Sequence, residues 1–174
     1  YFRDQAVKIV FPPEASNVAN KLRDIGAGAL VDNIVKKMNR AAEKAADTAA
    51  PIFINAIGNM QFQDARQILE GRDTAATNFF RKNTRSQLFD AFKPDMERSL
   101  KEVGAQQAWN DVVTRYNNIP LVGGDVQTDL ATYATNQALE GLFVKLKKEE
   151  KRVREDPRAR TKDILETVFS QVDN

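Results

Sequence analysis

Residues 28–50 read GALVDNIVKKMNRAAEKAADTAA, and their spacing decides the fold class. Leu30, Ile34, Met38, Ala41 and Ala45 recur every three or four residues, which places them on one face of an α-helix. The alanine-rich end (Ala41, Ala42, Ala45, Ala46, Ala49, Ala50) permits close approach by a neighbouring helix. Ala50-Pro51 marks a break.

The same periodicity extends outward in both directions. Upstream, Pro12-Pro13 stops an extended opening, and Pro13 suits a first helical position. Val18, Ala19, Leu22 and Ile25 form a stripe that Gly26 can close. Downstream, Ile52, Phe53, Ala56, Ile57 and Met60 predict a third helix, and Ala65, Ile68 and Leu69 a short fourth ending at Gly71. Asp73 is a candidate N-cap for a helix over residues 74–89. The stretch from Phe79 to Phe92 holds four of the ten phenylalanines. Pro94 predicts a restart, with Met96, Leu100 and Val103 inward and Gly104 as the stop. Trp109, Val112, Val113 and Tyr116 form the next stripe, and residues 117–128 (NNIPLVGGDVQT) are the clearest loop. A long helix then runs through Leu130, Ala134, Leu139, Phe143 and Leu146 until Asp156-Pro157. Ile164, Leu165, Val168, Phe169 and Val172 outline a last amphipathic helix. The only strand candidates are residues 7–11 and 120–122. The reading is all-α: a single compact domain over residues 1–174, with about eight helices and little or no β-structure.

The 174 residues contain no histidine and no cysteine. That removes the usual general base near neutral pH, thiol nucleophiles, disulfides and nearly every transition-metal site. No P-loop, dinucleotide fingerprint or Gly-x-Ser-x-Gly elbow occurs. Adjacent Glu149-Glu150 diverge by about 100° on a helix, so they do not converge on one bond. Asp125 and Asp129 flank Gly123-Gly124, but two carboxylates fall short of calcium's six to eight oxygen donors. Helix capping by Asp125, Thr128 and Asp129 is the simpler explanation. No catalytic residue, metal ligand or cofactor is assigned. Nothing in the chain reads as a membrane span.

Charge is clustered. Residues 145–162 hold nine basic and four acidic side chains, a local +5 in a chain whose formal charge is +2. An anionic partner would suit this run, and so would a solvated helix end with Glu150–Arg154 and Lys151–Glu155 paired at i, i+4. No aromatic interleaves the run after Phe143, which argues against nucleic acid. Arg81 and Arg85 share one helical face and can grip an anion, or pair with Glu70, Asp73 or a carboxylate of a distant helix. The candidate binding residues are therefore Asp73, Thr77, Arg81, Arg85, Glu150 and Arg154.

A series of short motifs runs through the chain in a fixed order. Leu30-Val31-Asp32 is followed by Met38-Asn39-Arg40-Ala41-Ala42-Glu43 and Ala50-Pro51-Ile52-Phe53. Asp64-Ala65, Ile68-Leu69-x-Gly71 and Asp73-Thr74-Ala75-Ala76-Thr77 come next. Val103-Gly104-Ala105, Tyr116-Asn117, Ala138-Leu139-x-Gly141-Leu142-Phe143, Glu149-Glu150 and Arg154-x-Asp156-Pro157-x-Ala159-Arg160 complete the series. Together they resemble the bacterial family catalogued as domain of unknown function 4197. The resemblance implies a helical protein, mostly of Gram-negative bacteria, with an export or lipoprotein signal and a further helical segment before the position of Tyr1. It carries over no catalytic residue. Gln61 departs from the family's usual Ser or Thr, which predicts a less cleanly started helix.

The expectation that follows is a non-enzymatic binding or structural module outside the cytoplasm, periplasmic or anchored to the outer membrane through a lipid upstream. Its partner would be an envelope protein or an anionic ligand. Two other classes stay open: a lipid or small-ligand carrier with a phenylalanine-lined cavity, and a hydrolase working through carboxylates and arginines alone.

Overall fold

A computed structural model of the chain describes residues 1–12, 16–24, 26, 28–107, 109–110 and 129–159. Six α-helices lie wholly within the described residues: α1 (Ser16–Asp24), α2 (Gly28–Ala46), α3 (Ala49–Gly58), α4 (Phe62–Leu69), α5 (Ala75–Lys101) and α6 (Leu130–Glu155). A 3-10 turn, Pro157–Ala159, follows α6. No strand occurs among the described residues, so the class is all-α. The expected loop at 117–128 and the amphipathic stripe from Ile164 to Val172 lie outside the described residues.

The chain wraps around α5. This 27-residue helix, about 40 Å long at 1.5 Å per residue, packs chiefly against α6 and α2. Leu88, Phe92, Met96 and Leu100 repeat at i, i+4 and are completely buried. That stripe explains why the break expected at Pro94 does not occur. Pro94 removes one helix hydrogen bond, that to Asp90, but both residues sit on the exposed face. Burial of Leu88 and Phe92 before the proline, and of Met96 and Leu100 after it, contributes about 1.5–3 kcal/mol per side chain. The segments expected on either side of Pro94 are therefore one helix. Beyond it, Gly104 takes φ +62°, and residues 105–107 and 109–110 are helical again.

Against α5, α2 buries Val31, Ile34, Met38, Ala41, Ala42 and Ala45. Small residues on α6 (Ala131, Ala134, Ala138, Gly141) let other backbone approach closely. A Cβ on Gly141 would lie 2.6 Å from Cε1 of Tyr1 and 3.2 Å from Cβ of Val7. The opening segment thus lies directly on this helix. Tyr1 donates its hydroxyl to the Ala138 carbonyl at 2.8 Å, and burial pushes its phenol pKa up to about 12.

That opening turns twice, Asp4 N donating to Tyr1 O and Val7 N to Asp4 O, and residues 8–12 then run without regular structure; Val7, Ile9 and Phe11 are buried and Val10 is exposed. Ile9 finds its hydrogen-bond partners on a side chain. Asn39 of α2 accepts from Ile9 N at 2.9 Å and donates to Ile9 O at 2.8 Å, mimicking one rung of a sheet. The amide also donates to Val35 O at 2.8 Å, so this fully buried group is satisfied. Phe11 stacks on Trp109 with ring centroids 5.5 Å apart. Replacing Asn39 by Leu strands the Ile9 N–H and C=O in an apolar interior. Urea denaturation should register a loss of about 2–4 kcal/mol; a loss below about 1 kcal/mol would contradict this bridging role.

Candidate functional site

The turn after α4 is tight. A Cβ at Gly71 would fall 2.5 Å from the Gln67 carbonyl oxygen and 2.6 Å from Cβ of Ala75, so no larger residue fits without movement. It delivers the chain into α5 with Thr74 at the N-cap, whose side chain makes no capping bond. Asp73, expected to cap this helix, lies exposed in the turn. The cap comes from another helix. Glu150 of α6 accepts from Ala76 N at 2.9 Å, Thr77 N at 2.8 Å and the Thr77 hydroxyl at 2.7 Å. These are the second and third residues of α5, where orphan amides and the helix dipole favour a carboxylate.

Arg154, one turn along α6, donates to Glu150 from Nε at 3.1 Å and from Nη2 at 2.9 Å. Nη2 also reaches the Ile68 carbonyl at 2.7 Å, and Nη1 the Gly71 carbonyl at 3.4 Å. One Glu-x-x-x-Arg pair therefore caps the start of α5 and the end of α4 at once. The pairing expected along the surface is instead nearly buried: the side chains are 6% (Glu150) and 12% (Arg154) exposed. Burial pushes the Glu150 carboxyl up. The hydrogen bonds from Thr77, Ala76 and Arg154 outweigh it and hold the pKa below its usual 4.5.

Farther along the same interface, Arg81 grips both oxygens of Glu140 at 2.8 and 2.7 Å. Arg85 adds a 2.5 Å bond to Glu140 and a 3.1 Å bond to Asn136. The Arg81 guanidinium also lies 4.6 Å from the centre of the Phe143 ring. Burial raises the Glu140 carboxyl, and the two arginines more than compensate, so its pKa is lowered too. Asp73 joins neither cluster, while Thr77, Arg81, Arg85, Glu150 and Arg154 all lie at the α5–α6 contact. Glu140 and Asn136, equally central, carry no local pattern that marks them. They would be found only by asking which α6 residues face Arg81 and Arg85.

The basic run divides in the same way. Arg152 pairs with Glu149 at 2.7 Å, Lys151 with Glu155 at 3.5 Å and Arg158 with Asp156 at 3.2 Å. Lys145 bonds Asp4 of the opening segment. Lys147 and Lys148 are exposed, and Arg160 and Lys162 lie outside the described residues. Asp129 caps α6 by accepting from Thr132 N at 3.0 Å, as capping predicts; Asp125 and Thr128 lie outside the described residues. Among the described residues no group of three or more acidic side chains is placed to hold a metal ion.

A different feature is open. α3 turns into α4 at Asn59–Gln61, and the Gln61 amide donates to Asp64 at 3.1 Å, so α4 starts cleanly despite the glutamine. Between these helices and α5 lies a cleft of about 640 Å³. Its walls include Ile57, Met60, Phe62, Leu69, Ala76 and Phe80. Ile57, part of the apolar spacing that predicts α3, is 53% exposed, and Phe62 is 86% exposed. Of the aromatic stretch, Phe92 is sealed in the core, while Phe80 lines the cleft and meets Phe53 and Phe79 edge to face. Arg154 forms part of the wall, so the double cap and the cleft share a residue.

Residues 1–170 match the model of the family described as Protein of unknown function (DUF4197), and the chain belongs to that family. No curated protein and no solved structure matches it. None of the helices among the described residues is long and apolar enough to cross a membrane.

Removing the carboxylate with Glu150→Ala leaves Arg154 and two helix-end amides uncompensated. The expected cost is about 3 kcal/mol by chemical denaturation. The acid limb carries a second signature. Because the folded pKa is depressed, the contribution of Glu150 is complete above pH 4.5 and drains away as pH falls through the lower folded value. Glu150→Gln should therefore lose stability at pH 7 and show a shallower decline from pH 5 to 3. A wild-type slope in the variant would contradict the assignment.

Proposed function

We propose that this chain is a non-enzymatic binding module of the bacterial cell envelope that receives apolar groups of a partner in the cleft between α3, α4 and α5. The observation that carries the reading is the division of labour between charged and apolar side chains. Glu140 and Glu150 already accept from arginines, and Glu150 from two backbone amides as well. Such carboxylates are held ionised and saturated, which makes them poor proton acceptors and weakens a hydrolase reading. Arg81, Arg85 and Arg154 are engaged by the same carboxylates, which weakens a reading in which they clamp an anionic ligand.

The cleft has the opposite character. Its apolar wall is open, and Ile57 and Phe62 within it stand exposed at 53% and 86%. Contiguous exposed apolar surface is a mark of interaction sites. The extracytoplasmic location rests on the family resemblance alone.

A benzophenone side chain placed at Ile57 tests this in the native host. Photolysis should give a discrete cross-linked species, and the same group at exposed Gln87 of α5, outside the cleft, should give none. No product from Ile57, or equal products from both positions, would contradict the reading.

A further inference from the structure

We propose that Glu150 is a positioning residue for the cleft, setting the affinity of a site that it does not itself line. The inference rests on the reading above and names what regulates that site. Glu150 is absent from the cleft wall, yet its bonds reach three residues that form it: Ala76, Arg154 and, through Arg154, Ile68.

Each of those residues belongs to a different helix. Glu150 accepts from Ala76 N at 2.9 Å, at the start of α5, and from Arg154 Nη2 at 2.9 Å, at the end of α6. The same Nη2 donates to the Ile68 carbonyl at 2.7 Å, at the end of α4. Two of the three bonds fall on backbone, so they fix where α4 and α5 stand. Ends of three helices meet in one wall, and a single carboxylate joins them.

The electrostatics of that wall point the same way. Its charged residues are Arg66, Glu70 and Arg154. Arg66 and Glu70 pair with each other in solvent at 2.7 Å, whereas Arg154 is nearly buried. With Glu150 ionised, the Arg154 guanidinium is balanced and drawn back against the Ile68 and Gly71 carbonyls. Without that carboxylate the wall holds a nearly buried cation that has lost its balancing anion. Such a charge draws in water or turns toward it, and either response makes an apolar cleft wetter. Linkage makes the effect reciprocal: an apolar occupant that favours the dry, assembled wall also favours the cap.

Fluorescence titration of the whole 174-residue chain with Nile red, an uncharged apolar dye, tests the inference. The wild type should bind the dye, and Ile57→Asp, a charge at an exposed position of the wall, should weaken binding sharply. Glu150→Gln should weaken it about 5-fold or more at neutral pH with an unchanged circular dichroism spectrum. Asn39→Leu, destabilised at a residue that does not line the cleft, should bind as the wild type does, which separates wall geometry from loss of stability. Should Glu150→Gln fail to fold, the wild type decides. Saturating dye should slow amide exchange at Ala76 and Thr77 and leave Ala29 and Leu30, in the first turn of α2, unchanged. Wild-type affinity in Glu150→Gln, an equal loss in Asn39→Leu, or unaltered exchange at Ala76 and Thr77 overturns the inference and leaves the cleft as a binding site. A wild type that takes up no dye, or an Ile57→Asp variant that takes it up equally well, removes the cleft reading itself and the inference with it.

Discussion

The carboxylate of Glu150 closes the start of α5 from a neighbouring helix, and the placement of three helices depends on it. A 27-residue helix begins here with no capping side chain of its own at Thr74. Its amides find their acceptor on α6, and the arginine that balances that acceptor finds carbonyls at the end of α4. Each charge is nearly buried, and each is stable only because the other and the two helix ends are present. The cap therefore acts as a positional lock. It ties the α4–α5 turn, already constrained at Gly71, to a fixed point on α6. The same lock shapes the cleft, because Arg154 contributes part of its wall.

Along the α5–α6 contact the arrangement is repeated in a more open form. Glu140 collects Arg81 and Arg85 at an interface whose side chains remain about 40% exposed, so water screens it more. Opposite-sign groups thus join α5 and α6 at two levels, one dry and one wet, while Leu88, Phe92, Met96 and Leu100 supply the bulk of the burial. With these acids and arginines taken up in this way, the recognition surface we propose is apolar. That inverts the weight a charge map of the sequence suggests, where residues 145–162 stand out first.

Much of the fold was legible because helix faces are local. The stripe from Leu30 to Ala45 predicted α2, and Gly104 stops α5 with a positive φ as expected. The order of short motifs pointed to the family that the whole-chain match establishes. What escaped was non-local. Pro94 read as a break because nothing near it reveals that four fully buried residues span it. Asn39 sits between Met38 and Ala41 on a buried face, which is a signal for a buried polar partner, but its partner Ile9 lies 30 residues away. Thr77, Glu150 and Arg154 were marked by motif, yet their joint role needed the distance between two helices. Ile57 carried the right periodicity for a core position and lies on an open face, because no described element covers the outer side of α3.

The central claim is that a carboxylate from α6 holds the first turn of α5. The amides of Ala76 and Thr77 report on it directly, since amides in a helix's first turn ordinarily exchange with solvent as fast as frayed ends do. Residue-resolved hydrogen exchange at neutral pH should find both protected to the level of mid-helix amides such as that of Leu88, with protection lost in Glu150→Gln. Fast exchange at Ala76 and Thr77 in the wild-type chain would contradict the account.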